Sequence, residues 1–259
     1  MVLLGVTLLL FFLLRDKKGE SVVVRSTNCT NDTETSITWE GHIQSLLPVY
    51  TLAAIQSEDA ETPQYLAYQW TLNDTTAPTG NSNYSDWQIV QRFALATIYY
   101  ATDGDAWFNN TNWLDHDVDE CQWFSKGGYG QYCSECYQDS KPCNDDGIFQ
   151  HLWLRQNYLQ HKLPPELFLL TDLLSVSLYQ NQLLDATLST LIGHLQSLEA
   201  LSLGNTGLSG SIPSELGTLS NLFSLNLVRN RLTGLIPTEL GRLFQLNNLL
   251  LDSNVSDIQ

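Results

Sequence analysis

Four of the five cysteines, Cys121, Cys133, Cys136 and Cys143, fall within 23 positions. Thiols this dense either pair as disulfides in an oxidising compartment or hold zinc in a reducing one. A four-cysteine zinc site usually takes two CxxC pairs, and here only Cys133 and Cys136 have that spacing. A thioredoxin-like role for them would need a βαβ setting that the surrounding sequence does not offer. Disulfides are therefore expected. Of the pairings open to four thiols, Cys121 with Cys143 and Cys133 with Cys136 is the one expected, leaving Cys29 for an intermolecular bond. The acidic run Asp115, Asp117, Asp119 and Glu120 begins like a calcium loop. It then fails, because Glu120 stands where the loop needs glycine and Lys126 where it needs a bidentate Glu, so a solvated acidic loop is expected. None of the histidines, His42, His116, His151, His161 and His194, sits in a metalloprotease helix motif or near a GxSxG elbow. The stretch "GGYG" at 127–130 lacks the strand and lysine of a phosphate loop, and no kinase signature is present. No catalytic residue, metal or cofactor is expected, and the chain does not read as an enzyme.

A second chemistry is modification. Asn-x-Ser/Thr sequons begin at Asn28, Asn31, Asn73, Asn83, Asn109 and Asn254, and the first five are candidate glycosylation sites. The opening run "MVLLGVTLLLFFLL" is too short for a bilayer-spanning helix and suits a signal peptide, or a truncated membrane anchor giving membrane association. A secreted or cell-surface location follows. The net charge is −16, of which −13 falls up to Asp146, and so negative a chain excludes nucleic acid as a partner.

The elements that must carry these residues divide the chain into four parts: the apolar segment 1–14, a polar glycosylated stalk 15–44, a helical, cysteine-containing cap 45–146, and repeats from 147 to 259. In the cap, "LPVYTLAAIQ" reads as a helix, and "TPQYLAYQWTLND" as another with Thr62 as N-cap and Pro63 at its first position. A third helix, in "SDWQIVQRFALATIYYATDG", opens on a Ser85–Gln88 capping box and sets Val90, Phe93, Ala94, Thr97 and Ile98 on one face. Trp107, Phe108, Trp113 and Trp123 are expected to stack over apolar surface.

Beyond the cap, a Leu-x-Leu-x-x-Asn core recurs as "LWLRQN", "VSLYQN", "LSLGNT", "LNLVRN" and "LLLDSN", at steps of 24, 25, 24 and 24. A fixed period of this length marks a solenoid, whose coils cannot stand singly because each buries too little to offset backbone ordering. The apolar residues flanking the middle position point inward and the short strands pair in parallel. The closing Asn157, Asn181, Asn230 and Asn254 form a ladder, since a buried amide satisfies both carbonyls and N–H groups where the chain turns inward. Thr206 does this less fully unless Asn205 compensates. Asn254 is both ladder residue and sequon, and a glycan cannot sit on an amide buried between coils.

The stretches "LSGSIPSELGTLSNL" and "LTGLIPTELGRLFQL" resemble the plant-type extracellular leucine-rich repeat, LxxLxxLxLxxNxLxGxIPxxLxxL, over about 110 residues. The segments "DGDAWFNNTNWL", "ECQWF" and "PCNDDGIFQHLWLRQN" are similar to the N-terminal caps of plant and algal surface proteins of that family. The resemblance implies an α/β solenoid, a right-handed leucine-rich-repeat superhelix of about five coils with short parallel strands on its concave face and a helical, disulfide-containing N-terminal cap. His161 departs from the motif's Gly and Ser189 from its Pro, and the fifth coil stops at Gln259, as a fragment, a truncated product or a coil covered by a partner would. The family is largely receptor-like, which implies recognition of an extracellular protein, peptide or glycan, with a co-receptor as a further partner. A structural cell-wall or matrix glycoprotein, with the repeats as rigid spacer, is the alternative. Facing outward, His151, Ser175, Ala200, Ser224 and Asn248 form one row, Trp153, Ser177, Ser202, Asn226 and Leu250 a second, and Arg155, Tyr179, Gly204, Val228 and Asp252 a third. His151, Trp153, Arg155, Tyr179 and Asn226 are the candidate ligand-binding residues, large and polar types that bind well when rigidly displayed.

Overall fold

A computed structural model describes residues 39–57, 61–74, 84–123, 141–183 and 186–254. The apolar segment 1–14, Cys29, Cys133, Cys136, Lys126, the "GGYG" stretch and the sequon residues Asn28, Asn31 and Asn83 lie outside the described residues. No helix among the described residues is long and apolar enough to cross a membrane.

The cap is built on α1 (Trp39–Leu46), α2 (Val49–Ile55), α3 (Pro63–Leu72) and α4 (Asp86–Ala101). The first of these was not legible as a helix: residues 39–44 belong to the folded cap and not to a polar stalk, because Ile43 is fully buried. Thr62 caps α3 by accepting from the Tyr65 N–H at 3.2 Å, and the Ser85 N–H donates to Gln88 Oε1 at 3.0 Å at the start of α4. The latter helix is buried nearly all round rather than on one face, Ile89, Gln91, Arg92 and Leu95 being covered as well. Such a helix must satisfy its polar side chains internally. Arg92 therefore donates from Nε to Asp74 Oδ2 and from Nη1 to Glu120 Oε2, each at 2.9 Å, with Trp70, Tyr84 and Trp123 packed against its guanidinium. Glu120 is thus no part of a solvated loop, although Asp115, Asp117 and Asp119 are exposed. Gln91 donates to Glu120 Oε1 at 2.7 Å and accepts from the Phe149 N–H at 2.7 Å, joining the helix to the entry of the repeats. The Cys121–Cys143 disulfide is present and clamps the same junction. Trp107 packs edge-on against Tyr99 and Trp113, Trp113 stacks on Tyr99, and Trp123 lies tilted against Trp113, as expected, but Phe108 is 58% exposed.

Five short strands, β1 (His151–Trp153), β2 (Ser175–Ser177), β3 (Ala200–Ser202), β5 (Ser224–Asn226) and β7 (Asn248–Leu250), form one parallel sheet in chain order. A two-stranded parallel sheet, β4 (Ser209–Gly210) with β6 (Arg231–Leu232), runs beside it. The register pairs His151 with Ser175, Ser175 with Ala200, Ala200 with Ser224 and Ser224 with Asn248. Behind the sheet, Leu152, Leu178, Leu225 and Leu227 are fully buried, each stabilising by roughly 1.5–3 kcal/mol. The return segments are five-residue 3₁₀ turns, as in Pro165–Leu169 and Ser214–Thr218, and α-helix is confined, among the described residues, to the cap. A 24-residue repeat leaves little chain for a longer helix, and the turns pack too closely for one. A Cβ on Gly217 would lie 2.4 Å from the Glu239 carbonyl oxygen of the next turn. Ser189 replaces the motif's proline by capping its turn, accepting from the Leu191 N–H at 3.2 Å, and His161 takes the left-handed backbone, φ 60°, that Gly210 and Gly234 take in later repeats.

The ladder forms as expected. Asn230 Oδ1 accepts from the N–H groups of Thr206 and Leu208, both at 3.1 Å, and its Nδ2 donates to the carbonyls of Leu203 at 2.8 Å and Leu227 at 3.0 Å. Asn181 makes the same four bonds one repeat pair earlier. Thr206 reaches less, donating from Oγ1 to Leu203 O at 2.7 Å. The relief comes not from Asn205 but from the Thr206 backbone carbonyl, which accepts from the Leu183 N–H at 3.0 Å. Asn230→Ala strands two buried N–H groups and is expected to cost about 3 kcal/mol or more, whereas Thr206→Val costs about 1 kcal/mol, because Leu203 O keeps its bond from Asn230. Chemical denaturation of the two variants against the parent checks the difference.

Candidate functional site

The exposed side of the sheet displays the residues at the first and third positions of each strand and the one two residues beyond. Because β1 and β2 carry the large ones, they meet there. The His151 and Trp153 rings stack at 4.8 Å, and both bond to the hydroxyl of Ser175, Trp153 Nε1 donating to Oγ at 2.7 Å and His151 Nδ1 lying 2.9 Å from it. An indole N–H only donates, so Ser175 accepts from Trp153 and has its own hydrogen to give to the neutral imidazole. The two bonds make the hydroxyl a brace for both rings. Partial burial pushes the His151 imidazole below the ordinary histidine value.

One step along, the Arg155 guanidinium lies 4.7 Å over the Tyr179 ring centre. That ring is held flat by the absence of a side chain at Gly204, where a Cβ would sit 2.9 Å from Tyr179 Cδ2 and 2.9 Å from Asn226 Oδ1. Gly204 thus brings Asn226 into the same patch from two repeats away. Asn226 Oδ1 accepts from the Val228 N–H at 3.2 Å. All five expected residues share one surface: a braced indole–imidazole stack, a guanidinium laid on a phenol, and an amide. Ser175 and Gly204, which set the geometry, stand in the expected rows but carry no signal of their own until the register is known. Among the described residues no cluster of His, Cys, Asp and Glu could hold a metal ion.

Two further residues are placed by the ladder. Asn157 donates from Nδ2 to Asn109 O at 3.1 Å and accepts from the Asn109 N–H at 2.7 Å, and this pins Phe108 beside Tyr158 at the flank of the patch. An open depression of roughly 440 Å³ lies there, lined by Phe108, Gln156, Tyr158 and Gln180.

The family described as Leucine Rich Repeat matches residues 197–219 and 221–243. None of the curated proteins matches the chain. Among solved structures, the ectodomain of the plant membrane receptor kinase GASSHO1/SCHENGEN3 from Arabidopsis thaliana, in complex with CASPARIAN STRIP INTEGRITY FACTOR 2, is 37% identical over 41% of this chain and 13% of its own, with a TM-score of 0.40. A plant ice-binding protein is 26% identical over 62% of this chain and 47% of its own, with a TM-score of 0.49. The BIR3–SERK2 complex from Arabidopsis thaliana is 23% identical over 60% of this chain and 79% of that one, with a TM-score of 0.45.

A histidine whose folded value lies below its unfolded one binds fewer protons in the fold, so its stabilising contribution is present above the ordinary value of about 6.5 and is lost as pH falls below it and through the lower folded value. NMR titration is expected to give His151 a midpoint below that value, and an unshifted or raised midpoint would show that the Ser175-braced stack is open to water.

Proposed function

We propose that this chain is a non-catalytic, receptor-like recognition module built of leucine-rich repeats of the plant extracellular type, secreted or held at the cell surface, that binds a peptide or protein segment on the open sheet face of its first two repeats. The observation that carries the reading is the fixed cluster of Trp153, Arg155 and Tyr179: rigid aromatic area and a guanidinium fork are the types enriched in binding hot spots, and here their rotamers are set before any ligand arrives. Later repeats show mostly small side chains along the same rows, which confines strong contacts to the entry end. The net charge of −16 favours a ligand bearing positive charge, with long-range attraction from the chain as a whole and an aromatic platform for its apolar groups. A co-receptor is the natural second partner for so short a patch.

A peptide library displayed on phage and selected on the purified chain tests this. Selected peptides are expected to lose about 30-fold or more in affinity for Trp153→Ala and for Tyr179→Ala, with unfolding midpoints near the parent's. Gly204→Ala, which displaces the Tyr179 ring without removing it, is expected to weaken the same peptides. Selection that enriches nothing, or peptides indifferent to all three variants, would instead favour a matrix glycoprotein in which the repeats serve only as spacer.

A further inference from the structure

Three sequons begin at described residues, and their amide nitrogens are differently engaged. Asn254 Nδ2 donates to Leu227 O at 3.0 Å and Leu251 O at 2.7 Å while Oδ1 accepts from the Leu232 N–H at 3.2 Å, so it is spent on the ladder. Asn73 Nδ2 donates to Gln69 O at 2.8 Å, closing the last turn of α3, and its neighbour Asp74 is buried against Arg92. Asn109 differs. Its Oδ1 accepts from the Thr111 N–H at 3.2 Å, an Asx turn within the sequon itself, and its Nδ2 makes no hydrogen bond with any described residue. The backbone beneath is rigid, its N–H and carbonyl both bonded to the Asn157 amide at 2.7 and 3.1 Å.

Beside this acceptor lie two exposed aromatic residues, Phe108 at 58% and Tyr158 at 65% exposure, with ring centres 6.3 Å apart. Large apolar side chains on a soluble surface are ordinarily scattered singly, and an exposed contiguous pair offers a surface that a ligand can use. The other described residues that line the depression are Gln156 and Gln180, whose side chains bond to each other, so on a chain of net charge −16 its described lining is uncharged. Aromatic faces with a negative quadrupole attract the C–H face of a pyranose, and side-chain amides suit its hydroxyl and acetamido groups.

We infer that Asn109 carries an N-linked glycan whose first sugars lie on the Phe108–Tyr158 ring pair. In the transfer, Asn109 Nδ2 bonds to C1 of the leading N-acetylhexosamine of a lipid-pyrophosphate-linked oligosaccharide. The C1–O bond to phosphate breaks, the lipid pyrophosphate leaves with the bonding electrons, and the nitrogen gives up one proton. Phe108 and Tyr158 form the floor for this sugar. The inference shares with the proposed function only the extracellular setting.

The full chain, directed through the secretory pathway of a glycosylating host by a supplied leader, tests both halves. Peptide mass mapping with and without glycosidase is expected to find Asn109 occupied, and Thr111→Ala to remove that glycan while keeping the Asn109–Asn157 bonds. One N-acetyl methyl resonance is expected to be shifted upfield by the rings, and to return to the position of free glycan in Phe108→Ala and Tyr158→Ala while Asn109 stays occupied. Secreted protein with Asn109 bare overturns the inference, and so does an occupied Asn109 whose acetyl resonances are the same in parent and ring variants. Neither result touches peptide binding at Trp153 and Tyr179, which is read without the glycan.

Discussion

The side chain that closes each strand, an amide in every repeat but the third, makes the interaction on which the rest of this structure depends. A chain that turns inward after a short strand leaves N–H and carbonyl groups with no regular partner, and each would cost about 1–3 kcal/mol if left unmet. Asn181 and Asn230 each answer four of them. The bonds also hold an unfavourable backbone in place: the residue before every rung, Gln156, Gln180, Asn205, Arg229 and Ser253, has φ between 51° and 59°, a left-handed conformation that side chains ordinarily avoid. The rung and the strained residue before it are one unit, repeated five times, and the register of the sheet follows from it.

The same ladder joins the two halves of the molecule. Its first rung, Asn157, has no earlier repeat to serve and turns instead to the backbone of Asn109 in the cap. The cap also meets the repeats through Glu166, which is fully buried in the 3₁₀ turn Pro165–Leu169 and accepts from Thr51 Oγ1 at 2.7 Å and Gln64 Nε2 at 3.0 Å. Although Tyr50 is 42% exposed, partial burial and the nearby Glu166 carboxylate push its phenol up to about 12. Within the cap, Arg92 between Asp74 and Glu120 plays the corresponding part. Buried ion pairs contribute little net stability, but losing one partner leaves an uncompensated charge, so such a network enforces one arrangement of α3, α4 and the acidic loop.

The display surface is a consequence of these constraints. Regular strands put His151 above Ser175 and Trp153 above Ser177, and a missing side chain at Gly204 lets Tyr179 lie flat beneath Arg155 with Asn226 beside it. The core fixes where each Cα stands, and the small residues among the large decide which rings can touch.

Sequence alone determined what repeats: the Leu-x-Leu-x-x-Asn period, the rows it projects outward, the ladder and the caps of α3 and α4. These depend on neighbours at fixed separations along the chain, so spacing states them. Only the tertiary structure decided the particulars that join distant segments. The α1 helix from Trp39, the burial of Glu120 and Glu166, the exposure of Phe108 and the bracing of His151 and Trp153 by Ser175 all turn on which side chain lies opposite which across the fold. Asp115 and Glu120 are alike as letters, and solvent or a guanidinium makes them different. A period fixes a residue's place in its own repeat, whereas its partner from another part of the chain is chosen only when the two surfaces meet.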